Sequence, residues 1–270
     1  MEEGISANNE MTKILSNGDW YYELSATSLY ETEVENIIAQ NSKVLFPEFQ
    51  LVQFKKTVYS EEGSARADFA LIDSLYRKWW VVEVEMRDHS LDIHVVPQIR
   101  ILSRANYNEE EALYLCQKSS LLKKLELTNL VTNVSPRVLI IANSVNNNWL
   151  EPIKGLDADI LAIEIYRSDK NKHLLRVHGN LPTVNFSFIS KCSFLPYLPN
   201  FLSLQTPNKL LEIDNSHHKV LYSGKYSIWE YVVISQKSYL VPTSANPLSQ
   251  GLDYELIQTE DGQLILRDAT

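Results

Sequence analysis

The spacing of apolar positions changes several times along this chain, and each change predicts an element. Residues 18–30, with Trp20, Tyr21, Tyr22 and Leu24, suggest a short strand leading into a helix. In residues 28–46, Val34, Ile37, Ile38 and Leu45 recur at helical spacing among Glu, Asn and Gln, as an amphipathic helix requires. Residues 49–58 (FQLVQFKKTV) alternate as a first strand, and residues 60–65 (SEEGSA) make a turn. A second strand covers residues 66–72, apolar apart from Arg66 and Asp68. A third covers residues 79–86, rich in the β-branched and aromatic side chains that favour strands. Residues 91–105 predict a helix that Pro97 either kinks or begins. Further helical segments fall within residues 108–131, and residues 137–142 (RVLIIA) form the continuous apolar run of a centrally buried strand. A short helix from Trp149, a strand over residues 159–167 and a return through residues 173–177 complete this region.

The hydrophobic pattern also places charge. If Ile72 pairs with Trp79 across the loop of residues 73–78, Asp68 falls opposite Glu83. Side chains in a strand alternate between faces, so Glu83 and Glu85 project one way and Val82, Val84 and Met86 the other. Three carboxylates on one face of an apolar hairpin repel and resist burial unless a cation or basic groups compensate. A hard divalent ion with oxygen ligands is the economical explanation.

An Asp, a spacer, Glu-x-Glu on the next strand and a following helix bearing Gln resemble the core of the PD-(D/E)xK nuclease superfamily. The succession of helix, three strands, helices, strand, helix and strand is similar to its αβββαβ order over roughly residues 20–180. The resemblance implies an α/β, restriction-endonuclease-like core with a mixed sheet. It implies Mg²⁺, with Mn²⁺ as a substitute, held by Asp68, Glu83 and Glu85, and DNA as the substrate. It also implies supporting site roles for Glu31 and Gln98. The first helix matches that of Holliday junction resolvases, where a catalytic Glu precedes the first core aliphatic by three residues; Glu31 fits that spacing, with Glu35 as runner-up. His94, one turn before Gln98, is a weaker candidate, and Arg100 and Arg104 are candidate phosphate contacts. The chain departs from the family at Ala67, where Pro is common, and at Glu85, where Lys is usual and only a few active restriction endonucleases carry Glu. Such a fold suits restriction, phage defence, mobile-element or repair roles. The competing reading is a catalytically inactive nuclease-fold module that binds protein or nucleic acid.

Beyond residue 181, six prolines punctuate short β-prone runs, and Glu260-Asp261-Gly262 predicts a tight hairpin. These patterns divide the chain into a mobile stretch over residues 1–17, a nuclease-like domain over residues 18–180 and a smaller β-rich domain, barrel or sandwich, over residues 181–270. The last segment has fewer Lys and Arg than Asp and Glu, so it is a candidate surface for a protein partner rather than a DNA clamp. A homodimer is compatible with the sequence. The formal net charge of −9 argues against a nonspecific nucleic-acid coat protein but not against a nuclease with a basic cleft. No run of about 18 apolar residues predicts a membrane span. The first residues lack the apolar core of a secretion signal. Cys116 and Cys192 have no metal-ligand spacing, and the expectation is two reduced thiols in a cytoplasmic protein. His217-His218 lacks partners at finger spacing and is assigned no metal.

Overall fold

The computed structural model describes residues 12–25, 29–153, 155–156, 158–195, 197–205, 217–223, 225–243 and 246–269. Contacts divide the chain into two units, residues 1–183 and 184–270. The first is mixed α/β. It opens with a hairpin of β1 (Lys13–Ser16) and β2 (Asp19–Glu23), followed by α1 (Glu31–Gln40) and a single turn, α2 (Ser42–Leu45). Next come β3 (Phe49–Gln53), β4 (Thr57–Ser60), β5 (Gly63–Arg66), β6 (Phe69–Asp73) and β7 (Trp79–Glu85). A π-helical turn at Leu91–Val95 runs into α3 (Val96–Arg104), with Pro97 in the first turn of α3. After α4 (Glu109–Lys118) and α5 (Lys124–Asn133) come β8 (Arg137–Ala142), α6 (Asn147–Ile153), β9 (Ala158–Ser168) and β10 (His173–His178).

One sheet has the order β1-β2-β9-β8-β7-β6-β3, with β10 also paired to β9. The pairs β3–β6 and β6–β7 are antiparallel, while β7–β8 and β8–β9 are parallel. Ile72 pairs with Trp79, the register expected from the alternation and loop length. The loop is tied by Asp73, whose Oδ1 accepts from Leu75 N (2.8 Å) and whose Oδ2 accepts from Lys78 N (2.6 Å). Tyr76 in that loop has a positive φ of 54°, a conformation the carboxylate bonds help to hold. Asp73→Ala is therefore expected to cost about 2–3 kcal/mol, measured by urea unfolding, because the buried N–H groups lose a charged acceptor.

Alternation sends the two faces of β6 and β7 into two apolar layers. Ala70, Ile72, Trp79 and Val81 pack with Ile99 and Leu102 of α3, Leu115 of α4 and Leu127 of α5. Phe69, Leu71, Trp80, Val82 and Val84 pack with Val34, Ile37 and Ile38 of α1. Glu83 and Glu85 extend the α3 side, and Val82, Val84 and Met86 the α1 side.

Several expected boundaries shift. Arg66 lies in β5 rather than in the strand containing residues 69–72, and residues 57–58 leave β3 to form β4. The reason is a change of partner: β4 and β5 pair only with each other, as a two-stranded ribbon against α3. The ribbon is joined to α3 by an ion pair between Glu62 and Arg104, and to the chain just past α3 by Asn106 N donating to Tyr59 O. Leu91–Val95 is a π turn and not the start of an α-helix. In the stretch expected to be mobile, residues 13–16 form β1, paired with β2; residues 1–11 lie outside the described residues.

The second unit is a closed barrel of seven strands in the order β11-β12-β15-β14-β13-β17-β16. In chain order these are β11 (Phe186–Leu195), β12 (Leu198–Leu204), β13 (His217–Tyr222), β14 (Lys225–Ile234), β15 (Lys237–Pro242), β16 (Asp253–Thr259) and β17 (Leu264–Asp268). None of them joins the sheet of the first unit. Trp229, Tyr254, Leu202, Leu240 and Leu256 fill the barrel core. Trp229 and Tyr254 are thus interior, while Tyr226 is exposed. Gly262, with φ of 82°, closes the tight turn between β16 and β17. Among the described residues no helix is long and apolar enough to cross a membrane.

Candidate functional site

The site forms where two strands change partner. The chain leaves the sheet after Gln53 and returns at Phe69, so Lys55 and Asp68 occupy a shared corner. Phe54 N donates to Asp68 O (2.8 Å), and Asp68 N donates to Val82 O (3.0 Å). Asp68, only 3 % exposed, is gripped on both oxygens. Oδ2 accepts from Val84 N at 2.7 Å, between Glu83 and Glu85, and Oδ1 accepts from Lys55 Nζ. Lys55 also reaches Glu35 Oε2 of α1 at 2.9 Å. One ammonium therefore bridges two buried carboxylates.

Strand β7 is buried along its whole length, which puts Glu83 at 6 % and Glu85 at 1 % exposure. Gln98 of α3 donates from Nε2 to Glu83 Oε1 at 3.0 Å. Glu83 Oε2, Glu85 Oε1 and Gln98 Oε1 are buried without a hydrogen-bond partner. Burial pushes the Glu83 carboxyl well above its ordinary range, and the Asp68 and Glu85 charges add to this. Burial also raises Glu85, opposed by His89, whose Nδ1 lies 2.5 Å from Glu85 Oε2. Glu35 is raised by burial despite its bond to Lys55. Lys55 is itself raised: burial opposes its charge, but the hydrogen bonds to Asp68 and Glu35 prevail.

The five candidate site residues are divided rather than gathered into one ring. Ligand atoms of Glu31, Glu35 and Asp68 lie within 4.8 Å of one another, and so do those of Glu85, His89 and His94. Among the described residues, the three expected metal ligands Asp68, Glu83 and Glu85 do not form such a group. Glu83 stands between the two groups, influenced by Asp68, Glu85 and Glu31 and held by Gln98. Glu31 and its runner-up Glu35 both face Asp68. Arg104 is engaged with Glu62 of the ribbon.

Two contributors escaped the sequence reading. Lys55 lay inside what looked like an uninterrupted strand, and nothing local marks its pairing with residues 13 and 20 positions away. His89 lies in the polar connection of residues 87–90 between β7 and the π turn; the signal is its spacing of four from Glu85, followed by five to His94. The donor set of carboxylates and one amide oxygen, with buried acceptors lacking donors, fits a divalent cation. No family model, curated protein or solved structure matches this chain.

Proposed function

We propose that the chain is a metal-dependent nuclease that hydrolyses DNA phosphodiester bonds, with residues 20–180 as a restriction-endonuclease-like αβββαβ core. The observation that carries the reading is the buried acidic face of Asp68, Glu83 and Glu85, on which Glu83 Oε2 and Glu85 Oε1 lack donors. The antiparallel run β3-β6-β7, continued by parallel β8 and β9, supports the fold assignment. Asp68, Glu83 and Glu85, drawn together from the two groups in which Asp68 and Glu85 stand, would hold Mg²⁺ or Mn²⁺. Such an ion supplies charge against the developing phosphate negative charge and acidifies the attacking water.

The protein's own groups then have separate tasks. Asp68 is fixed by Val84 N, so its carboxylate keeps one orientation. Gln98 orients Glu83 through its amide N–H. Glu85 accepts a proton from the attacking water, helped by a raised affinity for protons. Lys55 supplies, from the neighbouring corner, the fixed positive charge that Glu85 cannot. Purified protein incubated with single-stranded, duplex and branched DNA should release cleavage products in Mg²⁺ or Mn²⁺ and none in chelator. Wild type that cleaves no DNA with either ion would overturn the proposal.

One observation favours the second reading, an inactive nuclease-fold module. Lys55 already neutralises Asp68 and Glu35, so that half of the acidic cluster is satisfied without a cation. DNA or protein binding that persists unchanged in Asp68→Asn, with no cleavage in either protein, would support it.

A further inference from the structure

We propose that Glu85, His89 and His94 form a second cation site, one that takes a borderline transition ion such as Zn²⁺ in preference to Mg²⁺. It goes beyond the nuclease reading and does not depend on it, since it can be tested without nucleic acid.

The argument begins with Glu85. Its side chain is 1 % exposed, and a buried carboxylate normally has donors for both oxygens. Oε2 has His89 Nδ1 at 2.5 Å, but Oε1 accepts no hydrogen bond. The group facing Oε1 is His94 Nε2, 3.5 Å away, beyond good hydrogen-bonding range. That separation has another meaning. Two ligand atoms about 2.1 Å from one ion, at a tetrahedral angle, stand about 3.4 Å apart. The His89 and His94 rings meet edge to face with centroids 4.9 Å apart, so both imidazoles converge on the same carboxylate. To join them on an ion, His89 Nδ1 gives up Oε2; one ligand atom from each of the three residues already lies within 4.8 Å of the others.

The backbone accounts for the convergence. His89 follows β7 in a turn closed by its N–H to Met86 O (2.9 Å). His94 sits in the π-helical turn Leu91–Val95, which starts after the extended cap residue Ser90, and its ring meets that of His89 edge to face. Single π turns are uncommon and occur often at functional sites. Two imidazole nitrogens with one carboxylate oxygen suit Zn²⁺, Co²⁺ or Ni²⁺, whereas Mg²⁺ prefers oxygen alone. With Glu85 buried and the His94 side chain 48 % exposed, three protein ligands leave a position open to solvent, as exchangeable zinc sites do.

The test is calorimetric titration of the tag-free full chain with Zn²⁺, and separately with Mg²⁺. Co²⁺ titration followed by visible absorption reports nitrogen ligation. The expected result is one Zn²⁺ per chain, bound about 100-fold more weakly by His89→Gln and by His94→Gln, at least the loss that removing an outer-shell partner can cause. Asp68→Asn should retain the Zn²⁺ affinity. Thermal melts verify folding; if His89→Gln unfolds the chain, His94→Gln, altered at an exposed ring, decides alone. Absence of Zn²⁺ binding in wild type, or affinity unchanged in the His variants, overturns the proposal. A nuclease failure would appear separately, as no DNA cleavage whatever the Zn²⁺ result.

Discussion

Lys55→Met is expected to destabilise the cation-free protein by about 3 kcal/mol at neutral pH. Lys55 bridges Asp68 and Glu35, whose side chains are only 5 % and 9 % exposed. Removing one member of a buried pair strands the other charge and typically costs about 3–5 kcal/mol. The lower end applies because the Lys55 side chain remains 26 % open to water. Acidification should narrow the gap between variant and wild type, because protonated carboxylates no longer need the ammonium. A divalent ion should do the same by another route. At about 100 times its Kd an ion binding only the folded state restores about 2.7 kcal/mol. Urea unfolding of both proteins, with chelator and with Mg²⁺ or Mn²⁺, measures the effect. A variant that no cation stabilises would show that Glu31, Glu35 and Asp68 hold no ion even when freed of Lys55. Because Lys55 is also the fixed charge beside Asp68, DNA cleavage should fall in the variant even where ion binding improves.

The central hairpin was legible because its information is local. A six-residue loop between two largely apolar strands suggests the Ile72–Trp79 pairing that the structure has, and Asp68 opposite Glu83 follows by counting. Helix α1 was legible for the same reason, since Val34, Ile37 and Ile38 repeat at helical spacing and all face the core. The corner at residues 54–56 and 67–68 was not. A strand that exchanges one antiparallel partner for another keeps its period of two, so FQLVQFKKTV carries no mark where β3 ends and β4 begins. Lys55 was hidden with it. The barrel strands β12 and β15 were obscured by prolines at their ends, at Pro199 and Pro242, which read as breaks where they mark strand margins.

The histidines were missed for a different reason. Helical periodicity places partners three or four residues apart, whereas His89 lies in the turn before the extended cap Ser90, outside the helical stretch that holds His94. His94 was therefore judged against Gln98, one α-helical turn onward, while its structural neighbour is His89. The general lesson concerns charge: the acidic residues were found by pattern, but the basic and imidazole groups beside them depend on where irregular backbone places them.

Glu83→Gln is expected to lower metal-dependent DNA cleavage by at least about a hundredfold, since losing even an outer-shell partner of a metal ligand can cost that much. The same substitution should leave the cation-free protein more stable at neutral pH. Glu83 is buried between Asp68 and Glu85, and its carboxyl lies well above its ordinary range because burial and both charges disfavour ionisation. The folded state therefore holds this proton more tightly than the unfolded chain does. Stability from Glu83 is fully present below the unfolded carboxyl pKa and is lost as pH rises through the folded value. Wild type without cation should accordingly lose stability between mildly acidic and neutral pH, to which the raised Glu85 and Glu35 also contribute. Gln at position 83 removes the largest of these contributions and keeps an amide to meet Gln98. Its melting temperature should thus depend less on pH than that of wild type. Added Mg²⁺ or Mn²⁺ favours the ionised carboxylate, so it should flatten the wild-type dependence and leave the variant nearly unmoved. Melts across pH, with and without cation, separate these effects from cleavage. Identical pH dependence in the two proteins would remove Glu83 from the titrating centre. Full cleavage by the Gln variant would remove it from the chemistry.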